Sequence, residues 1–321
     1  MNLEVRGGLG DEVAATAIVR ELKRARPDEI VRVFQPNRPE VWLHNPWLNH
    51  GTVDAPAPDV TGDGKIGRFI LRMDVLNRTG GSVAHRHAAQ LGLQIADDTP
   101  EIWLTADERA VDFIAPARQP KTIALDVGTG WESKRWPTSR WAQLVPQLIA
   151  DGWDVVAVGG DRTALSGELS SIKYTASFFN KTTIREAAVL LSQCALFMGQ
   201  DSGLMHLAAA VGTPQVVVWG RTKWYDYGYY NTTSVFPYTD CGANCYRECY
   251  RPPKVKTSFS HCMDEIPVAR VFDAVQLAAR RFAYRPSEHR AETRTAIPRR
   301  GWTPKPPPKP CKCHIVERNR A

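Results

Sequence analysis

MGQDSGLMHLAAAVGTP, residues 198–214, is the stretch on which the fold is decided. A short apolar run over residues 195–198 has the length of a buried strand. It breaks at Gly199-Gln200-Asp201-Ser202-Gly203, where glycine permits a tight turn and Asp or Ser is suited to cap a helix. Residues 204–211 then read as a short apolar helix that Gly212 and Pro214 stop, and residues 215–219 as a second strand. The unit is strand, polar turn, helix, strand. A turn of this kind at a helix N-terminus suits phosphate, because unpaired N–H groups and the helix dipole both point outward. It is equally the signature of an ordinary βαβ packing unit.

Working outward, the pattern repeats. Residues 3–6 read as a strand, Gly7-Gly8-Leu9-Gly10 as a flexible loop, and residues 11–25 as an amphipathic helix closed by Pro27. Strands are expected over 30–34 and 66–73, with a weakly patterned stretch over 35–63 between them, and a helix over 84–93. A further short element is read over 101–104. After a Pro/Ala-rich linker at 115–120 come strand 122–127, helix 139–151, strand 154–158 and helix 184–194. Alternating strands and helices predict parallel sheets in a doubly wound α/β arrangement.

Composition bounds the rest. The 321 residues are 43% hydrophobic and 23% charged, a soluble globular profile with room for two domains. No run has the length needed to cross a bilayer, and the β-like start leaves no room for a signal peptide, so a cytoplasmic protein is expected. The net charge of +7 is confined to residues 285–321, which hold ten Lys and Arg against three Glu, with seven prolines. Such a tail is expected to be extended and disordered. It reads either as a solubilising terminus or as an electrostatic arm for a polyanion.

The chemistry concentrates in the loops that follow strands. Val5-Arg6-Gly7-Gly8-Leu9-Gly10-Asp11 ends in a carboxylate at a helix N-terminus. Asp126-Val127-Gly128-Thr129-Gly130-Trp131-Glu132-Ser133-Lys134 is a second Gly-rich turn. Neither is a full dinucleotide fingerprint, which argues against a nicotinamide oxidoreductase. Two such turns, one per domain, would face one another across a cleft, since ligands sit at the carboxyl ends of strands in open α/β sheets.

These stretches resemble glycosyltransferase family 9, the heptosyltransferase-like enzymes of the two-domain GT-B fold. GGLGDEVAATAIVREL (7–22) is similar to the family's acceptor-side Gly-Asp loop. GTGWESKRWPTSRWAQL (128–144) carries a Lys-x-Trp-Pro segment, and DSGLMHLAAAVGTPQVVVWG (201–220) the Asp-Ser/Thr-Gly-x-x-His-Leu signature. The resemblance implies two Rossmann-like domains: a short acceptor-side domain over residues 1–118 and a nucleotide-sugar donor domain over 119–283. The basic tail occupies 284–321. It also implies an inverting glycosyl transfer from a nucleotide diphosphate sugar to an acceptor hydroxyl, without a catalytic metal.

Residue roles follow the matching positions. Asp11 corresponds to the family's base, a role that competes with capping its own helix. Lys134 is placed at the leaving diphosphate as a point charge, with Gly10, Thr129, Asp201, Ser202, Gly203 and His206 on the donor side. A carboxylate repels phosphate, so Asp201 is read as orienting the turn or meeting a sugar hydroxyl. His206 reads equally as a phosphate contact and as a core residue. The aromatic run 224–230 reads either as a stacking platform or as interdomain packing.

Cys241, Cys245, Cys249 and Cys262 follow C-x3-C-x3-C-x12-C and are a candidate structural zinc site, with a loop of unpaired thiols as the alternative. Cys194 reads as core. The acceptor is read as polyanionic. The resemblance favours the lipopolysaccharide core, but the acceptor domain is about fifty residues shorter than expected for such an enzyme. That raises a second acceptor, a hydroxymethylated base in DNA, as in phage-type DNA glycosyltransferases, with the tail on the phosphates. A non-catalytic nucleotide-sugar or nucleic-acid binding module is the remaining alternative.

Overall fold

The protein is described by a computed structural model covering residues 2–34, 36–48, 52–53, 68–72, 82–160, 170–220, 222–238 and 261–282. Cys241, Cys245, Cys249 and the tail lie outside the described residues.

The first half opens with β1 (Asn2–Arg6) and α1 (Leu9–Ala25), followed by β2 (Arg32–Phe34), β3 (Thr52–Val53), β4 (Arg68–Arg72) and α2 (Val83–Gln90). Its described strands form one parallel sheet in the order β3-β2-β1-β4. Helix α1 buries Val13, Ala17, Ile18 and Leu22, the stripe expected from the 3.6-residue period. It also buries all the remaining residues from Glu12 to Arg20, so that stretch is enclosed on all sides rather than amphipathic. Arg20 is also buried on α1. It donates to the carbonyls of Asp97 and Thr99 at 2.8 Å and to Glu101 at 3.0 Å, which straps the segment after α2 onto the helix. Residues 101–104 belong to no strand or helix, so the short element expected there is a strap rather than part of a sheet.

A one-turn helix, α3 (Ala106–Arg109), leads to the second half. There β5 (Thr122–Asp126), α4 (Thr138–Ala150), β6 (Asp154–Ala157), β7 (Ala176–Ser177), α5 (Ile184–Gln193), β8 (Leu196–Gln200), α6 (Gly203–Ala210) and β9 (Gln215–Val218) follow in order. The chain continues through α7 (Trp224–Tyr227), β10 (Thr232–Val235), α8 (His261–Asp264) and α9 (Val268–Arg281). The strands make a parallel sheet in the order β10-β9-β8-β5-β6-β7. Strand β5 is buried throughout, as a central parallel strand should be, and α4 and α9 cover one face of the sheet.

In this sheet the strand order reverses between β5 and β8, and in the first sheet between β1 and β4. Crevices open at such switch points, outside the carboxyl ends of the strands. The Gly-rich loops after β1 and β5 and the polar turn after β8 all lie there.

Several contacts hold the halves together. A single apolar cluster runs from Leu3 and Val13 to Met205 and Leu207, so the interface shares the core. Arg185 on α5 reaches across to Glu108 and to the carbonyls of Glu40 and Trp103 at 2.5–3.0 Å. Gln193, at the end of α5, accepts from the N–H groups of Phe113 and Ile114 at 2.9 and 3.0 Å and donates to the Val111 carbonyl at 2.6 Å. Cys194 is fully buried beside it. No described helix is long and apolar enough to cross a membrane.

Candidate active site

The ends of α1 and α6 meet head to head. A methyl group at Gly203 would lie 2.9 Å from Leu9 Cβ, and one at Gly10 2.6 Å from the His206 ring. Only glycine allows this approach. Between the Gly-rich loop of the first half and the turns of the second lies a cavity of about 730 Å³, and Gly10, Asp11, Thr129, Lys134, Asp201, Ser202, Gly203 and His206 all line it. Every acceptor-side and donor-side residue singled out in the sequence is thus brought to one cleft.

Asp11 stands in the first turn of α1. Its Oδ2 accepts from the Gly8 N–H at 2.6 Å, which satisfies one of the donors that a helix start leaves open. Capping and facing the cavity are therefore compatible. A side chain at Gly7 would overlap the same carboxylate. The neighbouring Glu12 points the other way and is fully buried. It accepts from Trp42 Nε1 at 2.5 Å and from Asn37 N at 2.8 Å. Burial raises its carboxyl above the ordinary value, against the pull of these bonds.

On the opposite wall, Lys134 Nζ lies 2.6 Å from Asp201 Oδ2 and 4.5 Å from the centre of the Trp131 ring. Burial works to raise the Asp201 carboxyl, but Lys134, then His206 and Thr222, outweigh it and hold it below the ordinary value. The carboxylate in the turn is thus neutralised in place, which removes the objection to a phosphate nearby. Thr129 Oγ1 donates to the Asp201 carbonyl at 3.2 Å, tying the loop after β5 to the turn after β8. Ser202 caps α6, its hydroxyl accepting from the Met205 N–H at 3.4 Å.

His206 is buried one turn into α6. Burial lowers it to about 4, with Asp201 opposing, so the imidazole is neutral near pH 7. Its Nδ1 is 2.6 Å from the Tyr229 hydroxyl and its Nε2 3.8 Å from Asp201 Oδ1. The tautomer that suits both neighbours carries its hydrogen on Nε2 and accepts from Tyr229 at Nδ1.

Other residues line the cavity as well, Asp126 and Arg38 among them without a role assigned from the sequence. Asp126 closes β5, and its Oδ1 and Oδ2 accept from Gly128 N at 2.8 Å and Ser202 Oγ at 2.7 Å. Burial pushes it up to about 6, against both bonds. Arg38 and Tyr227 also face the cavity. Tyr227 is carried there by α7, which Asp226 anchors to Arg86 of α2 at 2.7 Å. The aromatic run therefore makes the interdomain contact read for it and also places Tyr227 on the cavity wall. An acidic residue ending an apolar strand was the one signal for Asp126; Arg38 had none.

Residues 82–254 match the model of glycosyltransferase family 9 (heptosyltransferase), over half of the chain. The chain belongs to this family. Family 9 relatives with similar sequences include lipopolysaccharide heptosyltransferase 2 of Salmonella typhimurium, 33% identical over 136 residues, covering 39% of this chain and 38% of that protein. Lipooligosaccharide heptosyltransferase 2 of Haemophilus influenzae is 35% identical over 100 residues, 28% of either chain. The chain thus spans well under half the length of these relatives. The fold matches more widely. ADP-heptose heptosyltransferase II of E. coli superposes with a TM-score of 0.63 at 17% identity, over 87% of this chain and 98% of that one. The iron-containing dodecameric glycosyltransferase TibC of enterotoxigenic E. coli gives 0.66 at 19% identity, over 87% and 78%. These are GT-B structures, and the two-domain α/β expectation holds.

Of the four cysteines read as a zinc site, only Cys262 is among the described residues, where it is partly buried at the start of α8. The described residues hold no group of three or more potential metal ligands.

Proposed function

We propose that this protein transfers a glycosyl group, with inversion, from a nucleotide diphosphate sugar to an acceptor hydroxyl. The observation that carries this is one cleft shared by a carboxylate from the first half, Asp11, and a phosphate-type wall from the second, Lys134 with the turns at 128–130 and 201–203. Inversion needs a base on the face opposite the leaving phosphate, and the two halves supply opposite faces. Asp11 takes the proton of the acceptor hydroxyl as its oxygen attacks the anomeric carbon. The bond from that carbon to the diphosphate breaks, and the departing charge is met by Lys134 and backbone N–H groups rather than by a metal ion.

Heptosyltransferase relatives and the E. coli enzyme named for ADP-heptose support a heptose donor and a lipopolysaccharide-type acceptor. The trial is turnover of ADP-heptose and of ADP-, UDP- and GDP-hexoses with chelator present, each with lipopolysaccharide core saccharide or hydroxymethylated duplex DNA. Products are read by mass spectrometry. Heptose on the core saccharide, of inverted anomeric configuration, is the expected product. Sugar on the DNA base would replace the acceptor and leave the donor reading in place. Loss of turnover in chelator would overturn the metal-free step.

A further inference from the structure

Asp126 lines the cavity but takes no part in the transfer described above. It is 4% exposed, and its bonds come from the Ser202 hydroxyl and the Gly128 N–H. Those two donors belong to the turns that flank the β5–β8 switch point, where a donor phosphate would settle. An ionised Asp126 and a phosphate therefore compete for the same hydrogens. The surroundings offer the carboxylate no charge compensation. Lys134 pairs with the Asp201 carboxylate at 2.6 Å and is not among the groups acting on Asp126. Tyr174, ahead of β7, faces Asp126 as a phenol that burial, then the carboxylate, holds neutral. After β6, Gly159 presents only backbone, and a methyl group there would lie 3.3 Å from Asp126 Oδ1 and 3.5 Å from the Phe179 ring. No cation among the described residues contributes to its ionisation.

We propose that Asp126 is a resident anion of the donor loop, which holds Ser202 and Gly128 until a donor arrives and takes up a proton from solvent as the diphosphate binds. This rests on the donor reading of the cleft. Protonated on Oδ2, the carboxyl donates to Ser202 Oγ, and the serine hydrogen turns toward a phosphate oxygen. Burial already holds the carboxyl at about 6, and negative charge brought to the same two donors raises it further. One proton is consumed for each donor bound, and it returns to solvent when the nucleotide leaves.

The test is calorimetric titration of the full chain with ADP-heptose, ADP-glucose, UDP-glucose and GDP-mannose. Both phosphates of these donors are esterified, so their charge stays constant near neutral pH. Heats measured at about pH 7 in two buffers of different ionisation enthalpy count the protons. The expected result is uptake approaching one proton per donor, with Kd rising on the order of tenfold from about pH 6 to about pH 7.5. Asp126→Asn should bind without proton uptake and with a flat pH profile. Binding to the wild type with no proton exchange overturns the inference and leaves the donor reading standing, as does unchanged uptake in Asp126→Asn. Failure of all four donors to bind overturns both.

Discussion

Gly10 of α1 and His206 of α6 touch across the interface, so closely that a Cβ on Gly10 would stand 2.6 Å from His206 Cδ2. The ring cannot step back, because Tyr229 holds its far nitrogen at 2.6 Å. Gly10→Ala should force the helix ends apart and cost about 1–3 kcal/mol, as overpacking does. Thermal unfolding reads the loss. An unchanged midpoint would mean that the interface adapts to a methyl group.

Asp11→Asn keeps an oxygen to accept from Gly8, so the helix start should survive. Turnover should nevertheless fall by about 10²–10⁴, the range for losing a general base, while donor Kd moves by less than about threefold. Equal loss of both would assign Asp11 to the scaffold.

Lys134→Met strands the buried Asp201 carboxylate beside a neutral imidazole. Breaking such a pair costs about 3–5 kcal/mol. Lys134→Met combined with Asp201→Asn should recover most of that stability in denaturant titrations, but not donor binding. Recovery of donor binding in the double variant would show that the ammonium serves Asp201 alone.

The raised Asp126 carboxyl sets a stability slope. Its folded value of about 6 exceeds the ordinary 3.8, so its contribution is fully present below about pH 4 and lost as pH rises through 6. The loss is at most about 3 kcal/mol. Asp126→Asn should flatten that part of the profile and be the more stable form at pH 8 in urea unfolding. A wild type and variant with parallel profiles would rule the slope out.

Glu108 shows the opposite sign. The Arg185 hydrogen bonds hold it at about 2 against the ordinary 4.5, so its contribution is present above 4.5 and lost as pH falls toward 2. Arg185→Met should remove this acid dependence. It should also cost roughly 2 kcal/mol at neutral pH, because the Glu40 and Trp103 carbonyls lose their donor. Acid titration followed by circular dichroism distinguishes the two forms.

Much of this architecture is visible along the chain, and for local reasons. Strands β5, β8 and β9 are short apolar runs punctuated by Gly, Pro and Asp, and α6 begins at a serine that caps it. Periodicity and turn chemistry act over a few residues, so these elements can be located without tertiary knowledge. Asp11, Lys134 and the Asp201 turn each lie within or beside such a punctuated stretch, and the family resemblance of those stretches supplied the roles expected of them. Arg185 could not: its partners lie 77 to 145 residues away, and nothing near it in the chain distinguishes it from a surface arginine. The neutralised Asp201 is a similar case, since its charge is decided by an ammonium from a different loop.

The Gln193 amide, 5% exposed, spends both ends on the segment that enters the second sheet. A fragment cut to begin at Thr122 would leave that amide facing no backbone at all, and would expose the apolar pocket that Ile114 fills. One that begins ahead of Val111 would carry its own plug. The passage between the halves thus belongs to the half it leads into, and anyone dissecting this protein, or grafting its second half onto another first half, should make the join ahead of Val111.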